Sequence, residues 1–561
     1  MTATANAGAS VSDSGTPALD RRRIRLIVLG LLLGLFMAAL DQTIIAAALR
    51  TIADDLHGLT YQAWANTAYM TTSVIATALY GKLSDIYGRR PVYCVSVGMF
   101  ILGSVLCGLS QSMTELAVFR GVQGIGAGGL MSLAFAILAD LLPMAQRARY
   151  QAWFGAVFGI SAVVGPVVGG FFAGLNSFAG ATGWRWAFFI NVPIGLTAML
   201  LIAALVRLQP NRSNHPVDLA GTATLIVCLI PLLFAVEQGP KWGWTATGTL
   251  ALFAVGTVAL VLFILALRRA GSAALLPTPM FRNPVFSLFN GVNVMVGAAV
   301  FGALAVLPLY LQIVKGLSPT QAGLMMLPQT LGIVLAGRLC GPYATKSGRY
   351  KVFLLGGVAL MVIAAFWFGA FGVNTPLWQT GIAAGLMGIG IGLCWQVMLI
   401  AIQTGVDPQF MGAGMGSFTF FRQIGGTAGI AVFLSVFFGS VGGKVADAYA
   451  GAASDPAFQS AANDPSIAAL PANQVLLQGR GGHIPLDDTS FLKHADPRLA
   501  HPFLEGMAHA MQTVFMVSGS LLLLALVLAA IPKEMRRGPA QAGFGGAAKR
   551  TEAAKETANQ T

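Results

Sequence analysis

Charged side chains are scarce in this chain of 561 residues: Asp, Glu, Lys and Arg together make up 10%, and only 21 residues are acidic. That scarcity excludes a water-soluble fold, because 56% of the residues are hydrophobic and too few polar groups remain to cover them. Cysteine is also rare. Cys94, Cys107, Cys228, Cys340 and Cys394 lie singly in or beside apolar runs without CxxC or Cys/His spacing, so neither a disulfide framework nor a zinc site is implied. The sequence has no Walker segment and no His/Asp/Ser constellation within its apolar runs. Enzyme chemistry, a bound metal, a cofactor and nucleotide-driven work are therefore not expected.

What the chain has instead is length in apolar runs. Mean hydropathy is +0.72, and about 14 stretches of about 20 residues can each cross a hydrocarbon core of ~30 Å. Lipid offers no partner for free backbone groups, and no run alternates with the period of two of barrel strands, so the spans are expected to be helices. The apolar run from Leu26 to Ala39 follows Arg21, Arg22, Arg23 and Arg25, as in a signal peptide, but the many later spans favour an uncleaved first helix.

The formal net charge of +13 would suggest a nucleic-acid partner in a soluble protein. Here the basic residues cluster at span ends: Arg21 to Arg25, Lys82/Arg89/Arg90, Arg147/Arg149, Arg207/Arg212, Arg268/Arg269/Arg282, Lys346/Arg349/Lys351 and Lys533/Arg536/Arg537. Loops rich in Lys and Arg stay in the cytoplasm, so the charge is a topology signal with both termini inside, and nucleic acid is excluded as a partner.

The expected organisation is a disordered cytoplasmic tail over 1–23, a six-helix bundle over 24–207 and two extra transmembrane helices with linkers over 208–284. A second six-helix bundle follows over 285–532, then a cytoplasmic tail over 533–561 that reads as disordered. An outer loop over 442–506, rich in Ala, Gly, Asp and Pro, is longer than a plain connection needs and reads as a solvated loop, a lid or a surface for a periplasmic or envelope partner. A weak internal repeat supports two related halves. Gly81-Lys-Leu-Ser-Asp85-Ile-Tyr-Gly88-Arg89-Arg90 and Gly341-Pro-Tyr-Ala-Thr345-Lys-Ser-Gly348-Arg349-Tyr350 occupy corresponding positions after the second span of each half.

The first of these segments resembles the signature loop of the major facilitator superfamily, G-x-L-x-D-x-x-G-R-R. Its glycines permit a tight turn, and Asp85 can pair with the nearby arginines and with helix ends in one conformation only. Three further stretches narrow the resemblance to the 14-span drug:proton antiporter family. They are Leu40-Asp41-Gln42-Thr43-Ile44-Ile45, Arg120-Gly-Val-Gln123-Gly124-Ile-Gly126 and Gly165-Pro166-Val-Val-Gly169-Gly170. Arg50 stands where that family usually has a proline, and Thr345 replaces the acid in the second loop.

The resemblance implies an all-α integral membrane protein of the major facilitator fold, with two six-helix bundles plus two extra central helices. It implies a proton-coupled multidrug exporter in a bacterial cytoplasmic membrane, with the proton gradient as energy source and a small lipophilic substrate, protons and membrane lipids as partners. An exporter of lipids or cell-envelope precursors on the same scaffold is the alternative. The loop Gly81, Asp85, Gly88, Arg89 and Arg90 would be the conformational latch. Gly165, Pro166, Gly169 and Gly170 would form the helix that seals the route against leak.

An acidic side chain inside hydrocarbon costs about 2.5 to 3.5 kcal/mol on insertion scales, so each calls for a reason. Asp41 is the clearest, since a proton on its carboxyl removes the charge that hydrocarbon penalises. Arg120 is its natural counter-charge, because the resemblance makes spans one and four neighbours. Two readings stay open: a proton-coupling pair whose protonation competes with substrate for one pocket, or a permanent ion pair that fixes helix packing. Cavity candidates, on spans that line the cavity in the superfamily, are Phe36, Met37, Trp64, Tyr69, Gln123, Phe154, Phe158, Met325, Trp395, Gln396 and Arg422. With one clear buried acid, a neutral or monocationic substrate fits better than a dication.

Overall fold

The structure is a computed structural model that describes residues 21–56, 62–142, 144–175, 177, 180–206, 218–347, 350–406, 410–478 and 490–531. Both expected tails, except for residues 21–23, lie outside the described residues, as do the middle of the outer loop and Gly348 and Arg349 of the second repeat loop. Helices of 15 residues or more carry the fold. Numbering only these, α1 is Arg21–Asp55, α2 Gln62–Tyr87, α3 Arg89–Leu109, α4 Met113–Leu141, α5 Met144–Ala173, α6 Asn191–Leu205 and α7 Leu219–Trp242. They continue as α8 Thr247–Ala270, α9 Pro284–Leu309, α10 Leu327–Ser347, α11 Tyr350–Phe368, α12 Leu377–Gly405, α13 Met411–Ala452 and α14 Pro497–Ala530. Among the described residues, twelve helices are long and apolar enough to cross a membrane. α2 and α5 are not among those twelve, so length and composition alone do not reach the expected count; α2 is diluted by Asn66, Thr67, Thr71, Thr72, Ser73 and Thr77.

Packing within the two halves follows one plan. In the first, α4 lies against α2 and α3, α1 against α5 and α6, and α3 against α6. In the second, α12 lies against α10 and α11, α9 against α13 and α14, and α11 against α14. The weak sequence repeat is therefore a strong structural one. Burial separates inner from outer helices: 89% of the apolar window of α4 is buried, against 17% for α8, whose exposed Val, Leu and Ile side chains are suited to lipid. The extra pair α7 and α8 pack on each other, and α7 leans on both α2 and α13.

Local capping sets several helix starts. Ser112 accepts the Glu115 N–H at α4, and Ser318 and Gln321 close a reciprocal capping box on the short helix Pro319–Met325 before α10. Gly88 joins α2 to α3 with φ +93°, a conformation that only glycine adopts without strain.

Two boundaries differ from expectation. α1 begins at Arg21, inside the region assigned to the tail, and α13 runs on to Ala452 because Val441, Val445 and Tyr449 continue its buried face. At 42 residues α13 is about 63 Å long at 1.5 Å per residue, well beyond a hydrocarbon core of ~30 Å. Beyond it the outer segment folds as short helices, Pro456–Asn463, Pro465–Ala468 and Pro471–Gln478, that pack against one another and against α14, burying Phe458, Ala461 and Leu476.

Candidate functional site

The halves meet along α2 with α13 and α5 with α10. Glycine makes both approaches close. A Cβ on Gly81 would lie 2.7 Å from the Gly412 carbonyl oxygen, and a Cβ on Gly159 would strike Thr330. At the end that carries the arginine clusters, Asp85 accepts the Gly412 N–H at 2.9 Å and the Ala413 N–H at 2.7 Å, capping the start of α13 from the opposite half. Arg89 holds that carboxylate at 2.7 Å and reaches Asp140 of α4, also at 2.7 Å. Four of the five latch residues thus take part, with Gly88 supplying the turn; Arg90 is exposed and does not face the seam. Gln423 accepts from Thr77 across the seam at 2.8 Å, and Asp140 was not singled out by the sequence.

Deep in the first half, Asp41 and Arg120 are fully buried and ion-paired at 2.5 Å. The other carboxylate oxygen of Asp41 accepts from Gln123 Nε2 at 2.8 Å and from Asn191 Nδ2 at 2.9 Å. Both amides also donate to the Ser104 hydroxyl, and Arg120 donates to Gln123 Oε1. The Arg120 guanidinium sits over the Tyr69 ring at 4.1 Å. Gln123 and Tyr69, expected in the substrate cavity, belong instead to the shell of this pair. Asn191 and Ser104 are members that sequence reasoning missed; the signal was the same one that marked Asp41, a polar group within an apolar run.

The antiporter-like helix touches the same element. Thr43, two residues beyond Asp41, donates to the Ser161 carbonyl of α5 at 2.9 Å, and Gly165 lies directly against the Thr43 side chain. Gly169 is buried and Gly170 faces open space. Pro166 lies within α5, its side chain outside what is described.

A small cavity of about 50 Å³ lies between the halves. Its walls are Phe135 of α4, Phe154 and Phe158 of α5, Trp395 and Gln396 of α12, and Phe418 and Arg422 of α13, with Gly155, Ile333, Gly337, Gly392 and Leu399 completing it. Five of the expected cavity residues meet here: Phe154, Phe158, Trp395, Gln396 and Arg422. Four others do not. Met37 is buried within the first half beside Gly195, and Phe36 packs with Leu40, Ile44 and Ala187. Trp64 is 37% exposed and meets Phe234 of α7, while Met325 packs at the edge of the main core. Nor do the ion pair and the cavity share a pocket. Arg120 and Phe135 lie fifteen residues apart on α4, about 22 Å at 1.5 Å per residue, so direct competition at one place is not what this conformation offers.

Comparison with known proteins gives the family and the fold. The profile of the Major Facilitator Superfamily matches residues 31–430. An uncharacterised MFS-type transporter of Mycobacterium tuberculosis is 36% identical over 76% of this chain, which spans only 61% of the length of that relative. The multidrug transporter protein MdtP of Bacillus subtilis is 33% identical over 75% of this chain and 77% of its own. Among solved structures, the human organic anion transporter MFSD10 (TETRAN) superimposes with a TM-score of 0.58 at 15% identity, covering 90% of this chain and 99% of that one, a likeness of fold alone.

Proposed function

Because this chain belongs to the Major Facilitator Superfamily, we propose that it exports lipophilic, drug-like small molecules across a bacterial cytoplasmic membrane in exchange for protons, by alternating access. It is a multi-pass membrane protein and not an enzyme. The observation that carries the reading is the carboxylate of Asp41, fully buried in a membrane helix and, among the described residues, ion-paired with Arg120 alone. Such a pair is costly to hold in low dielectric, and a proton on Asp41 removes the charge that keeps Arg120 in place. The relative named as a multidrug transporter supports drug export as the task.

Since pair and cavity are apart, coupling runs through helices. Protonation loosens α1 against α4. α1 meets α5 through Thr43 with Ser161 and Gly165. α5 in turn supplies Phe154 and Phe158 to the cavity and Gly159 to the seam with α10. At the basic end, read as cytoplasmic, Asp85 and Arg89 hold the halves together in this conformation, which closes that face. A drug-sized molecule needs a pocket of about 300 to 1,000 Å³, so the cavity of about 50 Å³ is a contracted state and cargo enters when the walls part.

The test is efflux of a fluorescent lipophilic dye in proteoliposomes holding the full chain, with and without an imposed pH gradient. Export that follows the gradient and stops on adding an uncoupler supports the reading. Dye movement indifferent to the gradient would remove proton coupling; no dye movement for a broad panel would remove drug export.

A further inference from the structure

We propose that the cavity between the halves is an anion site: Arg422 and the Trp395 indole N–H recognise a carboxylate or ionised phenol on a flat aromatic body. The proposal deepens the export reading and rests on it.

Arg422 is 6% exposed, yet its Nε is buried with no hydrogen-bond partner among the described residues. It is steered only by rings, 4.8 Å from the Trp395 centroid and 5.9 Å from that of Phe418. Trp395 Nε1 is also buried with no hydrogen-bond partner among the described residues. Two unused donors therefore sit side by side in one cavity whose wall contains no Asp or Glu. The contrast with Arg120 is instructive. That arginine is buried too, but the protein gives it Asp41 and Gln123. A cation held in hydrocarbon without a counter-charge is expensive, and its counter-ion has to come from outside the chain.

Once the walls part, the rest of the lining suits the body of such a ligand. Phe135, Phe154 and Phe158 present ring faces and edges, so a flat aromatic scaffold gains apolar burial and ring contacts while its acidic group meets the donors. Through Asp41 the sequence alone sets a neutral or monocationic cargo above a dication; a cationic cargo is disfavoured here, because that acid is already paired with Arg120 and lies elsewhere. Arg422 also sits next to Gln423, the residue that holds Thr77 of α2 across the seam. An anion that draws Arg422 into the cavity therefore acts on the turn of α13 that joins the halves.

The experiment is calorimetric titration of the full chain in lipid nanodiscs, corrected with empty nanodiscs, using pyrene-1-carboxylate and the neutral pyrene-1-carboxamide. Wild type is expected to bind the carboxylate at least about tenfold tighter than the amide, the range of a charge-assisted hydrogen bond. Arg422→Gln should abolish that preference while leaving amide binding within about twofold, Arg422→Lys should keep part of it, and Trp395→Phe should weaken the carboxylate alone. Thermal unfolding of each variant confirms that the fold is kept. Equal loss of both probes in Arg422→Gln, no preference in wild type, or no binding of either probe overturns the proposal. Gradient-driven dye export with no anion preference would defeat this inference alone; anion preference without gradient-driven export would defeat the export reading alone.

Discussion

The carboxylate of Asp85 caps the backbone N–H of Gly412, a residue 327 positions further along the chain and in the opposite half of the molecule. A second bond to Ala413 makes the contact bidentate. A loop that looks like a local turn is thus a clasp between halves.

Asp85→Asn keeps one acceptor but removes the charge that faces the helix start and Arg89. A hydrogen bond to a charged group contributes about 1.5 to 3 kcal/mol, so the closed basic end should lose about tenfold to 150-fold in population. Spin labels near the basic ends of α2 and α13 should report a longer distance in the variant. An unchanged distance distribution would show that the clasp does not set the equilibrium.

Replacing Asp41 alone, as in Asp41→Asn, leaves Arg120 charged in the bundle interior with its main partner gone. Breaking a buried pair typically costs about 3 to 5 kcal/mol, whereas replacing both partners by apolar groups is often close to neutral. Asp41→Leu/Arg120→Met should therefore unfold at a higher temperature than either single variant while remaining unable to couple export to a pH gradient. Additive losses in the double variant would mean that the two residues do not act as a pair.

Gly165→Ala places a methyl group against Thr43. Overpacking of this kind costs about 1 to 3 kcal/mol, and trimming the neighbour should return much of it. The double variant Thr43→Ala/Gly165→Ala is expected to regain stability and part of the gradient-driven flux, measured by thermal unfolding and dye efflux. A double variant no better than Gly165→Ala would show that this contact does not link α1 to α5.

Asp496 precedes the candidate membrane span and caps the start of α14, and its hydrogen bonds from Arg498 hold its carboxyl below the usual carboxylate range. A depressed folded value means that the stabilisation is present above the ordinary carboxylate pKa of about 3.9 and is lost as pH falls through the lower folded value. Hydrogen exchange in the first turn of α14 should quicken over that acidic window in wild type, and Asp496→Asn should flatten the dependence.

The fold was legible because hydrocarbon imposes it: apolar runs, basic loops and glycines admit few other solutions. Asp41 was legible for the same reason, since an acid in such a run needs an explanation. Its shell was less so. Asn191 and Ser104 are neutral and cost little attention in a sequence, and Gln123 and Tyr69 were assigned to the cavity because their helices line it, although their side chains turn inward to the ion pair. The far partner of Asp85 left no trace in the sequence, because Gly412 contributes only a backbone N–H. Arg422 could be read as buried from its position, but that its Nε has no hydrogen-bond partner among the described residues is a fact of three dimensions.

The seam between the halves is written in glycine and main chain, at Gly81 with Gly412 and at Gly159 with Thr330, whereas the cavity wall is written in aromatic side chains. The contact between the halves and the rings of the proposed binding wall are therefore written in different alphabets. On the proposed function, a substitution among the rings of the wall would alter what is bound while leaving the glycine contacts of the seam as they are.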